Sequence, residues 1–416
     1  MKKALEFFIK SHKVPVAVFI ISFLIRAAFA LSQPEDFTLT GDPKAYDNIA
    51  VNLLSGRGFL CDYTKYKASY APLYPMFIAF SYLLFGRSLF YIRLLQCLLS
   101  ALVSALIYLA GREAFDELTG RAAALLSAFY PFLIYYNAYE FTENLYIFLY
   151  MLALYVFLKG LYEGRTYHFI LSGVLLGYAS LTRPVISAFL PFLLFSALLY
   201  GFRRKNARLA AKDITKFILT SLFMAAILIP WGLRNYIELG KFVTFTTEGG
   251  RAFYAGNNPM NKTGGAYRYI DYIEPERIMK GGLSEIEESA ALKKEGIRFI
   301  VDNKTAFIRL SVKKALYLWK VFPAERSGFS GIKFKMVSLL SYGLLLPFFI
   351  AGLLYSLPKI EKTFVLSSFL VYNTLFCMVF FSSMRFRDTL APIMLIYAAY
   401  GMKRFFEKLN LLETKR

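Results

Sequence analysis

The chain has 416 residues, of which 57% are hydrophobic and 18% aromatic, and its formal net charge is +21. Soluble domains contain about 45–50% apolar residues, so this composition and its long apolar blocks exclude an ordinary soluble fold and indicate a polytopic membrane protein. The basic residues lie in short loops between apolar blocks, which favours a positive-inside distribution over a nucleic-acid-binding surface. Three scattered cysteines and two histidines argue against a disulfide framework, a thiolate metal site and histidine catalysis.

The N-terminal segment predicts the orientation of the chain. Lys2, Lys3, Lys10 and Lys13 precede the first apolar block, so the N-terminus is expected in the cytoplasm. Residues 14–31 lack a small-residue cleavage site and predict a membrane anchor, not a removed signal peptide. The residues that follow, 32–70, are then external.

The most informative external stretch is GDPKAYDNIAVNLLSGRGF, residues 41–59. Its apolar residues have helical spacing, which predicts a short amphipathic helix that ends in a Gly-rich turn. Asp42 precedes Pro43, an arrangement typical of an N-cap followed by proline at the first helical position. A capping carboxylate can also face a site just outside the membrane, so Asp42 has two compatible interpretations.

Residues 71–86 (APLYPMFIAFSYLLFG) form an apolar segment that is too short for a full span and contains Pro72 and Pro75. This length predicts a re-entrant or interfacial helix. If the segment does not cross, the span at 91–111 runs inward, and every later loop lies on the side that its charge predicts.

The remaining apolar blocks complete about ten spans with both termini inside the cell, and the basic loop 202–216 and the tail are expected in the cytoplasm. The predicted spans after the first two cover residues 121–138, 142–159, 168–181, 184–201, 214–233, 336–357, 363–382 and 388–403. Residues 234–335 form one long external segment, within which 285–303 predict a charged helix and 305–322 a helix lying on lipid headgroups or covering the bundle. We therefore expect three parts: an N-terminal membrane module (1–233), whose first external loop (32–90) carries the catalytic residues, the external segment (234–335) and a C-terminal membrane part (336–416).

Charged residues gather at the outer membrane surface in this topology. Three are carboxylates, Asp42, Glu140 and Glu143, and the last two, spaced i,i+3, are expected on one face of a helix's first turn, where the helix dipole favours acids. The arginines at this level are Arg93, Arg183, Arg234, Arg385 and Arg387. A single arginine here is explained by snorkelling to the interface, but the positive-inside rule should deplete the whole group.

Arginines beside carboxylates at headgroup depth suit a lipid-linked phosphate substrate. Arginine binds phosphate oxygens in a forked geometry, and a carboxylate can take a proton from an attacking hydroxyl. The predicted reaction is inverting glycosyl transfer from a polyprenyl-phosphate sugar to an acceptor hydroxyl, with arginines offsetting the charge on the leaving phosphate.

Several motifs resemble those of the GT-C glycosyltransferases, in the bacterial and archaeal branch related to dolichyl-phosphate-mannose protein mannosyltransferases and lipid A aminoarabinose transferases. They follow the family's order along most of the chain. The matching pieces are GDPKAYDNIAVNLLSGRGF, APLYPMFIAFSYLLFG, RLLQCLLSALVSALIYLAGREAF, YEFTENLY, LTRP, PWGLRNY, GNNP and RFRDTLAPIMLIYAAYG. The resemblance implies an all-α GT-C bundle of about ten transmembrane helices, with juxtamembrane helices in the first external loop and one small external segment.

The resemblance also implies roles for individual residues. Asp42 is the expected general base, and Glu143, or less well Glu140, is the second carboxylate. Donor-phosphate ligands are expected at Arg183, Arg234, Arg385 and Arg387, with Arg93 as a further candidate. Other substrate-binding candidates are Tyr46, Lys67, Tyr70, Tyr74, Asn257 and Asn258.

Departures from the family limit what it implies. Asp42 is followed by Pro43 and not by a second acid, a large lumenal insert is missing, and the C-terminal half is shorter than in aminoarabinose transferases. Neither a protein-modifying subfamily nor a lipid A acceptor is therefore implied. Some GT-C members with diphosphate donors require a divalent metal, which Asp42, Glu143 and Glu140 could hold, but we expect no cofactor, since monophosphate-donor members generally work without a metal.

Two other function classes remain open. A lipid-linked sugar transporter or flippase would place polar residues at mid-membrane in broken helices and show internal repeats. An O-antigen ligase or polymerase would have a similar number of spans but use a diphosphate-linked donor. The expected partners of the main hypothesis are a polyprenyl-phosphate sugar, a lipid, glycan or protein acceptor, and the lipids of the cell membrane.

Overall fold

The structure is a computed structural model that describes residues 13–34, 39–203, 207–265, 282–322 and 331–409, and side chains within these ranges except at 201–213. Lys2, Lys3 and Lys10 lie outside the described residues, as do two of the basic residues of the loop 202–216. The charge-based predictions at these positions are therefore not addressed by the structure.

The described residues are almost entirely helical, and their β pairing is limited to two isolated bridges. The first half contains α1 (Lys13–Leu31), α2 (Asp42–Leu54), α3 (Leu73–Phe85), α4 (Leu89–Ala114), α5 (Glu117–Ala128), α6 (Pro131–Tyr135), α7 (Glu143–Glu163), α8 (Thr166–Thr182), α9 (Leu190–Arg203) and α10 (Ala207–Leu239). The second half contains α11 (Gly249–Gly256), α12 (Glu285–Asp302), α13 (Lys304–Leu318), α14 (Ile332–Ser338), α15 (Leu344–Ser356), α16 (Ile360–Val379), α17 (Met384–Thr389) and α18 (Ala391–Lys408). Short 3-10 or π turns adjoin α6, α9, α14 and α16.

Five helical stretches within the described residues are long and apolar enough to cross a membrane, or six if a pair of helices bent by 54° forms one span. The bent pair is Glu117–Ala128 with Pro131–Ala138, and one stretch, Ile332–Val379, includes more than one helix. Every predicted span coincides with helical residues, although α8 has only 17 residues, α9 has 14 and α18 carries several charges. The all-helical, multi-pass membrane architecture predicted from the sequence is confirmed, and the division into three parts stays a prediction.

The core of the bundle is formed where α4, α7, α8 and α18 bury apolar side chains against one another. Small residues allow the closest approaches: the Cα of Gly120 on α5 lies only 3.0 Å from where a Cβ would stand on Gly111 of α4. Arg26 of α1 is fully buried, and it donates to the hydroxyl of Ser100 at 2.7 Å and to the carbonyl of Ser127 at 2.9 Å. A buried membrane charge requires such partners, and these bonds link α1 to α4 and α5.

Helix α3 is the short apolar segment that was predicted not to cross the membrane. It has only 13 residues. Tyr74 and Ile78 on one side are buried, while Phe80 and Leu83 on the other side are exposed. An apolar helix of this length that buries one side and exposes apolar residues on the other fits a helix lying at the membrane surface.

The segment from α11 to α13 packs on the first loop that was predicted to be external. The backbone N–H of Thr247 donates to the carbonyl of Ala68 at 2.9 Å, and the hydroxyl of Tyr66 donates to Glu288 of α12 at 2.6 Å. Helix α12 begins with a capping box between Ser284 and Glu287. These contacts hold the later external segment against the loop that carries Asp42.

The same segment also holds the chain between α16 and α17. Lys314 of α13, which is fully buried, donates to Asn257 at 2.9 Å and to the carbonyl of Met378 at 3.3 Å. Gly256 packs so closely here that a Cβ would stand 1.7 Å from the carbonyl oxygen of Phe380. Since α17 follows directly, these contacts determine where its side chains lie.

Candidate functional site

Asp42 is the first residue of α2, and its carboxylate accepts a hydrogen bond from a residue outside this helix. The N-cap is Gly41, with φ 63°, and no side chain caps the helix. The prediction that Asp42 is the capping residue is therefore wrong, and Pro43, which was predicted at the first helical position, is the second residue of the helix. Oδ2 of Asp42 accepts a hydrogen bond from Nη1 of Arg385 at 2.9 Å, and 42% of the Asp42 side chain remains exposed.

Arg385 is the centre of the site. It lies in α17, which begins after the capping residue Ser383. Its Nε and Nη2 donate to the two oxygens of Glu143 at 2.7 and 3.2 Å, while its Nη1 reaches Asp42. The guanidinium also lies 4.3 Å from the ring centre of Phe141. Burial disfavours the charged form of Arg385, but Glu143 and Asp42 outweigh burial and raise the pKa of Arg385 well above its usual value, so it stays cationic.

Glu143 accepts hydrogen bonds from a second arginine as well as from Arg385. It is the first residue of α7 and is fully buried. Arg183, which directly follows α8, donates from Nη1 to Glu143 at 2.9 Å. The Arg183 guanidinium lies 5.6 Å from the ring centre of Tyr146 and 5.1 Å from that of Phe386. One buried carboxylate thus orients two arginines, which is how a preorganised anion site is built.

We call Asp42, Glu143, Arg183 and Arg385 the ion cluster. Its members come from the starts or ends of four different helices, and they meet at one end of the bundle. With two carboxylates and two guanidiniums, the cluster is formally neutral. An arriving phosphate would meet two cations whose remaining N–H groups can turn toward it.

Glu140 does not belong to the ion cluster. Because α7 begins at Glu143, Glu140 precedes the helix, and the prediction that the two acids share one helical face is wrong. Glu140 instead faces Arg93 at 3.5 Å, and Arg93 donates to the carbonyls of Gln33 and Pro34 at 3.0 and 3.2 Å. Burial raises the pKa of Glu140, against the opposing effect of Arg93.

Arg387 and Arg234 also lie outside the ion cluster. Arg387 is fully buried, pairs with Asp388 at 3.0 Å and donates to the carbonyl of Lys320 at 2.7 Å. Arg234 donates to the carbonyls of Lys67 and Phe59 at 2.6 and 3.0 Å. Both contact backbone carbonyls in these positions, so their predicted role as phosphate ligands stays a prediction.

The aromatic candidates form a group beside α2. Tyr46 makes edge contacts with Tyr70 and Tyr74, with ring centres 5.5 and 5.1 Å apart. Tyr74 is buried and donates to Gln96 at 2.9 Å. Burial first, and then the charge of Asp42, raises the pKa of Tyr46, which keeps its hydroxyl protonated. Lys67 lies at the surface and pairs with Glu238 at 2.7 Å.

Asn257 and Asn258 hold backbone together at the end of α11. Asn257 donates to the carbonyl of Val379 at 2.8 Å. Asn258 accepts from the backbone N–H groups of Met260 and Asn261, each at 3.0 Å. Both side chains are fully buried, and the structure does not bring them into the ion cluster.

Comparisons with known proteins concern the fold that carries this site. Residues 69–233 match the model of the family described as dolichyl-phosphate-mannose-protein mannosyltransferase. The apo oligosaccharyltransferase of Archaeoglobus fulgidus superposes on 96% of this chain with a TM-score of 0.63 and 15% identity, over 51% of its own chain. The protein has the GT-C glycosyltransferase fold. The GT-C fold that was expected from the ordered motifs is thereby confirmed.

Two further solved structures match this chain. The archaeal oligosaccharyltransferase AglB from Archaeoglobus fulgidus, in complex with an inhibitory peptide and a dolichol-phosphate, matches at a TM-score of 0.59 and 17% identity, covering 97% of this chain and 52% of that chain. ArnT from Cupriavidus metallidurans bound to undecaprenyl phosphate matches at 0.49 and 14% identity, covering 96% and 80%. The chain spans about half the length of the oligosaccharyltransferases it matches. No curated protein matches the sequence.

One residue near the GT-C site was missed in the sequence. Glu248 precedes α11, accepts from Arg251 at 3.1 Å and keeps 41% of its side chain exposed. Burial of the carboxyl group, and after it the charges of Asp42 and Glu288, raise the pKa of Glu248 to about 7, although Arg251 opposes this. The motif TTEGG gives no local signal for it, since only the packing of the external segment on the first loop brings Glu248 near Asp42.

The described part of the chain contains no group of three or more histidine, cysteine, aspartate or glutamate side chains arranged to hold a metal ion. Both oxygens of Glu143 accept hydrogen bonds from arginine, and Glu140 lies beside Arg93. These pairings direct the carboxylates of this GT-C site toward cations of the protein.

Proposed function

We propose that this protein is a membrane glycosyltransferase that transfers a sugar from a polyprenyl-phosphate-linked donor to an acceptor hydroxyl, with inversion at the anomeric carbon. The observation that carries the proposal is the ion cluster, in which Arg385 bridges an exposed carboxylate, Asp42, and a buried one, Glu143. The family model and the GT-C fold support the same reaction class. The AglB structure contains a dolichol-phosphate, which favours a lipid-linked donor here.

The two arginines of the ion cluster are placed to receive the donor phosphate. Glu143 holds Arg183 and Arg385 side by side through one shared oxygen, Oε1. Because the arginines are already ordered, they can stabilise the charge that develops on the leaving phosphate without reorganising. Glu143 is in this proposal a positioning residue, since its own oxygens face the guanidiniums.

Asp42 is the proposed general base. Oδ2 is bonded to Arg385, and the exposed part of the carboxylate can accept the proton of the acceptor hydroxyl. As that proton moves to Asp42, the hydroxyl oxygen bonds to the anomeric carbon from the face opposite the phosphate. The bond from the anomeric carbon to the phosphate oxygen then breaks, and its electron pair leaves on the polyprenyl phosphate.

The remaining assignments complete the proposal. Transfer takes place on the outer face of the cell membrane, both termini are cytoplasmic, and the acceptor is a lipid, a glycan or a protein. The first external loop and α3 form the donor side within the N-terminal module. The segment 234–335 covers the site from outside, where Glu248 faces toward Asp42.

The donor class is tested with purified protein in detergent and labelled polyprenyl-phosphate mannose, glucose and aminoarabinose. We expect release of the lipid monophosphate from at least one of them, and a matched diphosphate donor should give none. Turnover of the diphosphate donor alone would favour the ligase or polymerase. Transport of a lipid-linked sugar across proteoliposomes without any bond cleavage would instead favour the flippase.

A further inference from the structure

Helix α13 exposes three large aliphatic side chains along one side, which we call the apolar stripe. Ile308, Val312 and Leu316 are spaced four residues apart, and between 49% and 68% of each is exposed. Residues at this spacing lie on one side of a helix. A row of large aliphatic side chains facing water is unfavourable, and it is typical of a helix in contact with lipid.

The opposite side of α13 packs on a membrane-spanning helix. Ser311 donates to the carbonyl of Met378 at 3.0 Å, and the indole N–H of Trp319, the residue that directly follows α13, donates to the hydroxyl of Thr374 at 3.1 Å. Both acceptors belong to α16, which is part of an apolar stretch long enough to cross. Thr374 lies five residues before the end of α16, a depth of roughly 7–8 Å along a helix axis. The C-terminal half of α13 therefore reaches headgroup depth.

A basic groove runs beside the apolar stripe. Its volume is about 870 Å³, and it is lined by residues of α12, α13 and the turn 258–262. Four of its lining residues are basic against one acid, Asp302: these are Lys262, Lys304, Arg309 and Lys313. Arg309 and Lys313 each follow a stripe residue by one position, so they project to the side of the stripe. Phe299 and Leu310 give the groove an apolar wall.

We propose that α13 is embedded in the headgroup layer and that the basic groove binds the phosphate of an anionic phospholipid. Charge complementarity identifies this occupant, because four cations with one acid favour an anion. The apolar stripe identifies its source, because α13 carries both the stripe and three of the basic residues of the groove, Lys304, Arg309 and Lys313. The site is separate from the ion cluster and does not depend on the proposed reaction.

The position of α13 is tested with a solvatochromic label on the full-length protein in nanodiscs. Cys61, Cys97 and Cys377 are buried, so a cysteine introduced as Val312→Cys is labelled selectively, and Lys293→Cys on the exposed side of α12 is the matched control. We expect a blue-shifted emission and quenching by a lipid nitroxide at position 312 and not at 293. Water-like emission and equal weak quenching at both positions would overturn the embedding of α13.

The groove is tested by thermal unfolding in detergent with added phosphatidylglycerol, phosphatidylcholine or inorganic phosphate. We expect phosphatidylglycerol to raise Tm most, and the triple variant K262Q/R309Q/K313Q to lose this extra rise. The matched variant K241Q/K293Q/K294Q removes three exposed lysines elsewhere and should retain it. Equal shifts from both lipids, an equal shift from free phosphate, or the same loss in both triple variants would overturn the proposal.

Discussion

Arg385 and Glu143 are separated by 242 residues in the sequence and form a two-pronged ion pair in the structure, with nitrogen–oxygen distances of 2.7 and 3.2 Å. Because Glu143 is fully buried, its charge depends on this pair and on Arg183. Glutamine at position 385 would leave the buried carboxylate with one cation. Breaking a buried ion pair typically costs roughly 3–5 kcal/mol, and the remaining Arg183 should keep the loss in the lower part of that range.

We therefore expect Arg385→Gln to lower Tm and to abolish transfer, while Arg385→Lys retains stability better but not the forked geometry. Thermal unfolding and initial rates measure the two effects separately. Removal of the surface pair of Glu295 and Arg298, which are 3.9 Å apart, is the control. The loss of such a pair changes the free energy of unfolding by about 0–1 kcal/mol. An Arg385→Gln variant with normal activity would contradict the role of this arginine.

Glu143→Gln tests whether Glu143 acts by positioning two arginines. Neutralising it leaves Arg183 and Arg385 without their common acceptor, so we expect a higher KM for the donor and a rate lower by roughly 10²-fold, a size typical of misplaced charged groups. In a double-mutant cycle with Arg385→Gln, followed by the free energy of unfolding, the two losses of stability should be strongly non-additive, by about 0.5–3 kcal/mol. Additive losses would mean that the two residues act independently.

Glu248 predicts a pH dependence of stability. The pKa of Glu248 is raised to about 7 from 4.5, so between these values the folded protein binds more protons than the unfolded chain. The stability that Glu248 contributes is therefore fully present below about pH 4.5 and is lost as the pH rises through about 7. We expect Tm to fall over this window in the wild type and to fall less in Glu248→Gln, as measured by unfolding at several pH values. Identical pH profiles for both proteins would rule this assignment out.

Arg234 separates a structural role from a donor-binding role. Its side chain donates to the carbonyls of Lys67 and Phe59, so Arg234→Gln should loosen the first external loop. The loss of hydrogen bonds from a charged group costs about 1.5–3 kcal/mol each, which predicts a lower Tm. If Arg234 only holds the loop in place, the KM for the donor will change little in the fraction of protein that remains folded. A large rise in KM with an unchanged Tm would instead assign it to the phosphate.

Hydropathy was sufficient for the helical, multi-pass architecture, because membrane spans need long apolar segments. The orientation expected from the charges stays a prediction. The short length of α3 agrees with the sequence, and its not crossing the membrane stays a prediction. The motifs also contained the members of the ion cluster, since Asp42, Glu143, Arg183 and Arg385 were all among the candidates. Their selection from the larger set required the three-dimensional packing of four helix ends.

Other features could not be read from local sequence. Arg387 and Arg385 are two residues apart in one motif, yet one is buried against Asp388 and the other reaches Asp42. The capping role expected for Asp42 failed because a distant arginine competes for its carboxylate. Glu248 depends on contacts between two external segments far apart in the chain, such as Thr247 with Ala68.

The most direct test of the central claim compares wild-type protein with Asp42→Asn, which preserves the shape of the side chain and removes its ability to accept a proton. The release of labelled polyprenyl phosphate is followed in the presence of acceptor, with Tm and donor binding as controls. We expect normal folding and donor binding with a rate reduced by roughly 10²–10⁴-fold, the usual contribution of a general base. Undiminished release by Asp42→Asn would contradict the account and assign the base to another carboxylate.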